Sequence, residues 1–168
     1  MSDQDPQKQA RFQQIAATLA EQGFTIAQQD QTRPWGGFFV IDEDQAQQFA
    51  DQYFEGRSVD ELRISGKLSP KILLVAPQQR LSWQYHFRRA EIWKVVEGPV
   101  GVATSPTDAE GEVKSYEPGA LIVLKQGERH RLVGLGGWGV IAEIWQHTHA
   151  TEPSNEDDIV RVQDDFGR

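Results

Sequence analysis

The side-chain periodicity of this chain changes near Lys71, and that change limits the folds open to it. Before it, apolar residues recur at the three- and four-residue spacing that places them on one face of a helix. Phe12, Ile15, Ala16, Leu19 and Ala20 stand among Gln, Lys and Glu, and Gly23 follows where a helix C-cap belongs. This predicts a helix over about residues 6–22. Ala46, Phe49, Ala50, Tyr53 and Phe54 repeat the pattern over about 44–55, with Gly56 to end it. After Lys71 the helical spacing disappears. Short β-rich runs follow at 72–76, 81–87, 92–96, 100–104, 120–124 and 139–145. Turn signals at Pro77, Gly98-Pro99, Gly111, Pro118-Gly119, Gly127 and the glycines of 134–137 separate them, at roughly the ten-residue spacing of an antiparallel sandwich or barrel. The expectation is an all-β barrel carrying N-terminal helices on its outside. With 168 residues, one domain and one core suffice.

Composition narrows the partners. The chain has 25 acidic and 17 basic residues, a formal net charge of −8, so the general attraction to phosphate backbones is missing. Nucleic acid and anionic membranes are not expected as partners. Cysteine is absent, which removes disulfides, thiol nucleophiles and iron–sulfur ligation and leaves any metal to His, carboxylate or amide ligands. Residues 1–14 are polar, and no apolar run approaches the ~18 residues of a membrane span. A soluble, cytoplasmic protein is expected. By composition alone, the acidic tail 151–168 reads as a solvated end.

Chemistry concentrates in the run 81–88. Strand alternation puts Ser82, Gln84, His86 and Arg88 on one face and Leu81, Trp83, Tyr85 and Phe87 on the other. If the polar face lines a barrel interior, Gln84 and His86 offer an amide oxygen and an imidazole on one side of one strand. Glu91 begins the next strand, and His130 comes some forty residues later, after a Gly-Glu-Arg turn. Four such O and N ligands suit a borderline or hard divalent ion: Zn, Mn, Fe or Ni. Arg88, in phase with His86, is placed to pair with Glu91 or to clamp an anion. Trp83 and Trp93 read as aromatic core, and His147 and His149 as rim residues. A lone His is more often a hydrogen-bonded core or surface residue than a ligand, so the surrounding pattern must carry the metal reading.

That pattern is a resemblance. The runs 78–98 (QQRLSWQYHFRRAEIWKVVEG) and 119–130 (GALIVLKQGERH) resemble the two cupin motifs. More narrowly, the chain is similar to the cupin domain of type II mannose-6-phosphate isomerases, usually fused to a guanylyltransferase, and to single-domain cupins described as phosphoheptose isomerases. Four pieces carry the likeness: Arg33-Pro34-Trp35-Gly36; Arg80-Leu81-Ser82-x-Gln84-x-His86 with Arg89-Ala90-Glu91-x-Trp93; Gly127-x-x-His130-Arg131-Leu132; and Glu156-Asp157-Asp158-Ile159-Val160-Arg161 with Asp164-Asp165-Phe166-Gly167-Arg168. The Leu-Ser-x-Gln-x-His string is also similar to the metal-binding strand of zinc-dependent type I isomerases. The chain departs where the type II domain usually shows three successive His, keeping His86 with Phe87 and Arg88 beside it; Lys125 and Gly134 replace a usual Pro and Asn.

The resemblance implies an all-β cupin double-stranded β-helix (jelly roll) over residues 33–168, with an ordered tail and residues 1–32 as a helical extension. It implies a divalent metal, Zn foremost, on Gln84, His86, Glu91 and His130. It implies a metal-dependent sugar-phosphate aldose–ketose isomerase, with catalytic roles for Lys71, Arg88 and Glu91. Lys71, Arg88 and Arg161 would bind the phosphate of mannose 6-phosphate or a related hexose or heptose phosphate; the base is unassigned. A non-enzymatic sugar-binding or regulatory cupin is the alternative, and an iron-dependent cupin dioxygenase the third. A homodimer is expected, because cupins often pair through sheet edges.

Overall fold

The computed structural model of the chain describes residues 5–167; Arg168, the last residue of the tail motif, lies outside them. The first helix, α1 (Pro6–Glu21), starts at an Asp5 cap whose side chain accepts the backbone N–H of Gln7 and Lys8, and Pro6 sits where a missing N–H costs nothing. It closes just before Gly23, within a residue of the span its periodicity predicts. The second patch splits into a 3-10 turn (Glu43–Gln45) and α2 (Ala46–Tyr53), followed by α3 (Val59–Leu62), which is too short for periodicity to reveal.

Among the described residues, eleven strands form the barrel: β1 (Ile26–Asp30), β2 (Gly36–Ile41), β3 (Lys71–Val75), β4 (Trp83–Tyr85), β5 (Arg89–Glu97), β6 (Val100–Ser105), β7 (Lys114–Tyr116), β8 (Leu121–Leu124), β9 (Arg129–Gly134), β10 (Gly139–His147) and β11 (Val160–Gln163). They make two antiparallel sheets, one in the order β1-β2-β3-β10-β5-β8 and one in the order β11-β4-β9-β6-β7. The barrel therefore begins well before Lys71, where the sequence pattern places its start. The reason is visible in β2, Gly-Gly-Phe-Phe-Val-Ile, whose two faces are both covered, so that it shows no alternation.

The six-stranded sheet works on both sides. Outward-facing Phe39, Ile72, Leu74, Ile92, Ala142 and Ile144 pack against Phe12, Leu19 and Phe49 of the helices. Inward-facing Phe38, Leu73, Val75, Trp93, Val95 and Ile141 meet Val102 and Leu132 of the opposite sheet. Each large apolar side chain fully buried in these layers contributes roughly 1.5–3 kcal/mol. The odd-numbered residues of β3, β5 and β10 thus share the barrel interior, which brings Lys71, Glu91, Glu143 and Trp145 to one wall.

The tail that composition assigns to solvent is part of the fold. β11 pairs with β4, and Arg80 binds Asp165 at 2.6 Å. Asp158 accepts the backbone N–H of Phe87 and of Arg88, both at 2.9 Å, so its carboxylate brackets the His86-Phe87-Arg88 bend between β4 and β5.

Candidate functional site

His86 and His130 meet because two loops are tied together. Gly127, at φ 78° in a turn that a side chain would strain, donates its N–H to the His86 carbonyl at 3.1 Å. One strand over, Gln84 and His130 are register partners across β4 and β9. Glu91 comes from the facing sheet. The ring centroids of His86 and His130 are 5.1 Å apart, and one ligand atom from each of His86, Glu91 and His130 lies within 4.8 Å of the others. All three side chains are buried. Glu91 and His130 line a small cavity, lined also by Gln84, Lys71, Arg89, Glu143 and Arg161, with His86 just behind its wall.

Hydrogen bonds fix which ring nitrogen faces inward. Nδ1 of His86 lies 2.7 Å from the Asp158 carbonyl, and Nδ1 of His130 lies 3.0 Å from the Glu128 carbonyl. A carbonyl only accepts, so each Nδ1 carries the proton and, in the neutral ring, each Nε2 presents a lone pair to the interior. Both point at Glu91. His130 Nε2 is 3.2 Å from Oε1, with no hydrogen-bond donor of its own, and His86 Nε2 is 3.6 Å from Oε2. Burial holds His86 neutral, with a pKa lowered to about 4; Glu91 opposes this, and Arg89 and His130 add to it. Burial works to raise the Glu91 pKa, yet Arg89 and the two imidazoles hold it well below the usual carboxylate range. Neutral imidazoles with backbone-anchored Nδ1–H groups, converging on an ionised carboxylate, are a donor set that could hold a divalent metal.

Arg88 is the residue that sequence alternation misplaces, and Arg89 holds the position expected of it. Arg89 Nε donates to Glu91 Oε2 at 2.9 Å, its Nη2 meets His86 Nε2 at 3.2 Å, and its guanidinium stacks 3.6 Å from the Trp145 ring. The bend of His86, Phe87 and Arg88 interrupts the pleat, so that the inward phase passes from even numbers in β4 to odd numbers in β5. Arg88, expected beside Glu91, does not line the cavity; its charge acts on Asp158 instead. Phe87 is 58% exposed.

Lys71 and Arg161 do line the cavity. Trp83 and Trp93 are both buried core, and Trp93 also stands edge-on to His130. Glu143 lacks any role in the sequence reading, yet it is buried, with its oxygens accepting from the indole N–H of Trp93 at 2.8 Å and of Trp145 at 2.7 Å. Burial pushes its pKa up to about 7, helped by the charge of Glu91 and opposed by Lys71 and Arg89. A glutamate inside the apolar run Val140-Ile141-Ala142-Glu143-Ile144-Trp145 is the signal that would have found it. His147 is not a rim residue: it is buried, with Nε2 2.9 Å from the Ser69 hydroxyl and Nδ1 accepting from the Ser154 N–H at 3.0 Å. His149 is exposed.

Two facing antiparallel sheets with a His-Glu-His group between them define a cupin-type barrel. A family model described as mannose-6-phosphate isomerase C-terminal matches residues 46–164. The chain belongs to that family. A curated relative, mannose-1-phosphate guanylyltransferase of Salmonella montevideo, is 28% identical over 144 residues, which is 85% of this chain and 24% of the relative. The chain thus spans about a quarter of that protein's length. Among solved structures, the capsular polysaccharide assembling protein CapF of Staphylococcus aureus aligns at TM-score 0.54 and 12% identity, over 81% of this chain and 34% of that one. Vicilin from Corylus avellana aligns at TM-score 0.54 and 16% identity, over 82% and 33%. At these identities the two structures share the fold.

Proposed function

We propose that the chain is a metal-dependent sugar-phosphate aldose–ketose isomerase, acting on mannose 6-phosphate or a related hexose or heptose phosphate. The observation that carries this reading is the convergence of His86, Glu91 and His130 within 4.8 Å of one another beside a cavity that Lys71, Arg89 and Arg161 also line. Family membership agrees with it. Gln84, His86, Glu91 and His130 would hold the metal, Zn foremost, which when bound supplies a Lewis acid that polarises the sugar carbonyl.

Isomerisation moves a proton between adjacent carbons through an enediol, so it needs a base and an acid at one position. Glu143 suits that task. A carboxyl with a pKa near 7 takes a proton and returns it at neutral pH, and the two indoles hold its oxygens in place. Lys71 binds the phosphate, and Arg161 and Arg33 on the same cavity wall add positive charge for it. Arg89 takes the part that alternation gives to Arg88: it fixes the Glu91 carboxylate and adds positive charge to the cavity. Lys71, Arg89 and Arg161 on the cavity wall suit an anionic substrate, which favours the sugar-phosphate reading over the dioxygenase.

The regulatory or sugar-binding reading has one observation in its favour. Arg89 already donates to two of the converging atoms, so a guanidinium balances the carboxylate by itself. Elemental analysis of the purified protein, together with isomerase assays on a panel of sugar phosphates, decides between them. Turnover that is lost with the metal supports the isomerase. Sugar-phosphate binding without metal or turnover supports the alternative.

A further inference from the structure

Lys71 is a buried cation with an unusual surrounding. Its residue is 5% exposed, and its ammonium lies 4.3 Å from the centre of the Phe38 ring and 4.6 Å from that of Trp145. Two aromatic faces hold the charge in position but cannot neutralise it. The neutralising group is the tail's Glu156, whose Oε1 lies 2.5 Å from Nζ. Unlike the lysine, the Glu156 side chain is 52% exposed, so the pair sits with its cation inside and its anion at the mouth.

Glu156 also sees more than one cation. Partial burial pushes its carboxyl up, and Lys71, Arg89 and Arg33 together outweigh that effect and leave the pKa lowered. Arg33 lines the same cavity and shares the Phe38 ring with Lys71. The cavity wall carries Arg33, Lys71, Arg89 and Arg161 against Glu91, Glu143 and Glu156, and Arg33 Nε also pairs with Asp30 at 3.1 Å behind the wall; with Glu156 withdrawn, four cations face three carboxylates. On either side of Glu156 the backbone is anchored. Ser154 binds Asp158 and Arg89, and Asp158 brackets the bend, so the Glu156 side chain can rotate outward while the tail stays seated.

We infer that Lys71 and Arg33 form an anion subsite occupied by the carboxylate of Glu156, and that a phosphate monoester takes this subsite by displacing that carboxylate. The inference rests on the sugar-phosphate reading of the cavity and deepens it, because it makes the tail a built-in competitor of the substrate's phosphate. A dianion with three acceptor oxygens outbids one carboxylate for an ammonium and a guanidinium, and it does so with charge-assisted hydrogen bonds. A neutral hexose gains nothing from the exchange.

The test is calorimetric titration of the full chain with inorganic phosphate, mannose 6-phosphate and neutral mannose. Glu156→Gln keeps the side-chain shape and removes the charge; Lys71→Met keeps the stem against Phe38 and Trp145 and removes the cation. Where Glu156 holds the subsite nine-tenths of the time, Glu156→Gln binds inorganic phosphate about tenfold tighter than wild type. Lys71→Met loses that binding while its circular dichroism spectrum stays that of wild type. Mannose affinity is unchanged in Glu156→Gln. An unchanged phosphate affinity in Glu156→Gln overturns the inference, as does a Lys71→Met variant that keeps phosphate. If mannose 6-phosphate is isomerised in either case, the proposed function survives that failure. If Glu156→Gln takes inorganic phosphate but no sugar phosphate is bound or turned over, the function fails and the anion subsite stands.

Discussion

Two buried histidines, His147 and His130, show how one residue type serves two purposes. At His147 both ring nitrogens are used, one by the Ser69 hydroxyl and one by the Ser154 backbone N–H. At His130 a carbonyl holds Nδ1, and Nε2 is left against a carboxylate oxygen. Burial is nearly the same, 1% and 2% exposure. The difference lies in what faces the inward nitrogen: at His147 a serine hydroxyl completes the ring, whereas at His130 it is an oxygen of a carboxylate shared with a second histidine, the arrangement that could hold a metal.

The largest effect should come from breaking the ligand side. His130→Ala or His86→Ala is expected to lower zinc affinity by at least 10²-fold in a competition titration, because one donor of a small set is lost. His147→Ala should leave metal stoichiometry unchanged in elemental analysis, yet lower denaturant stability by about 2–3 kcal/mol, since it leaves the Ser154 N–H buried without an acceptor. Metal loss in His147→Ala would erase the distinction.

Next is Asp158→Ala, which touches both regions, since Asp158 brackets the bend of His86 and binds Ser154 next to His147. Loss of two backbone acceptor contacts should cost about 2–3 kcal/mol and weaken metal binding without removing it. Acid gives a related readout. Folded His86 and His147 are both lowered to about 4, in each case chiefly by burial, so the unfolded chain binds the extra protons. Stability of the metal-free protein is therefore full above pH 6.5 and falls as pH drops from there toward 4. Asp158 is also lowered, by its Ser154, Phe87 and Arg88 hydrogen bonds against the opposing effect of burial, and its contribution disappears only as pH falls below about 4. Chemical denaturation at stepped pH should show both phases, with the upper one reduced in His147→Gln.

Glu143→Gln should preserve metal binding and lower kcat at least 10²-fold, with a stability loss of about 1 kcal/mol as one indole N–H meets an amide donor. The smallest effect belongs to Phe87→Ser. That side chain is exposed and outside the cavity, so stability should stay within about 0.5 kcal/mol and metal content unchanged, although the family likeness puts a histidine there.

Much of this architecture is legible in sequence, and the exceptions have physical causes. The helix at 6–22 and the runs from 72 onward follow from periodicity. β2 does not, because both of its faces are buried. β11 escapes composition because a polar strand anchored by Arg80 and Asp165 looks like a solvated one. In the site, His86, Glu91 and His130 come together from residues that two motifs flag. Arg89 and Glu143 escape the sequence for different reasons: alternation carried through the bend puts Arg88 in the inward place that Arg89 takes, and a glutamate inside an apolar run reads simply as strand.

The bend itself has a consequence for how this barrel tolerates change in length. Three residues separate β4 from β5, and they set which parity of β5 faces inward. Deleting one of them leaves the strand two poor choices. It can hold its pairing with β8 and β10 and stretch the connection, or slip by one and turn Glu91 and Trp93 toward the helices while Ile92 and Lys94 enter the cavity. A change of two residues preserves parity. Alignments of barrels like this one should therefore be read by the evenness of that gap before its letters, since an odd-length difference removes the carboxylate from the site even when every ligand residue is still present in the sequence.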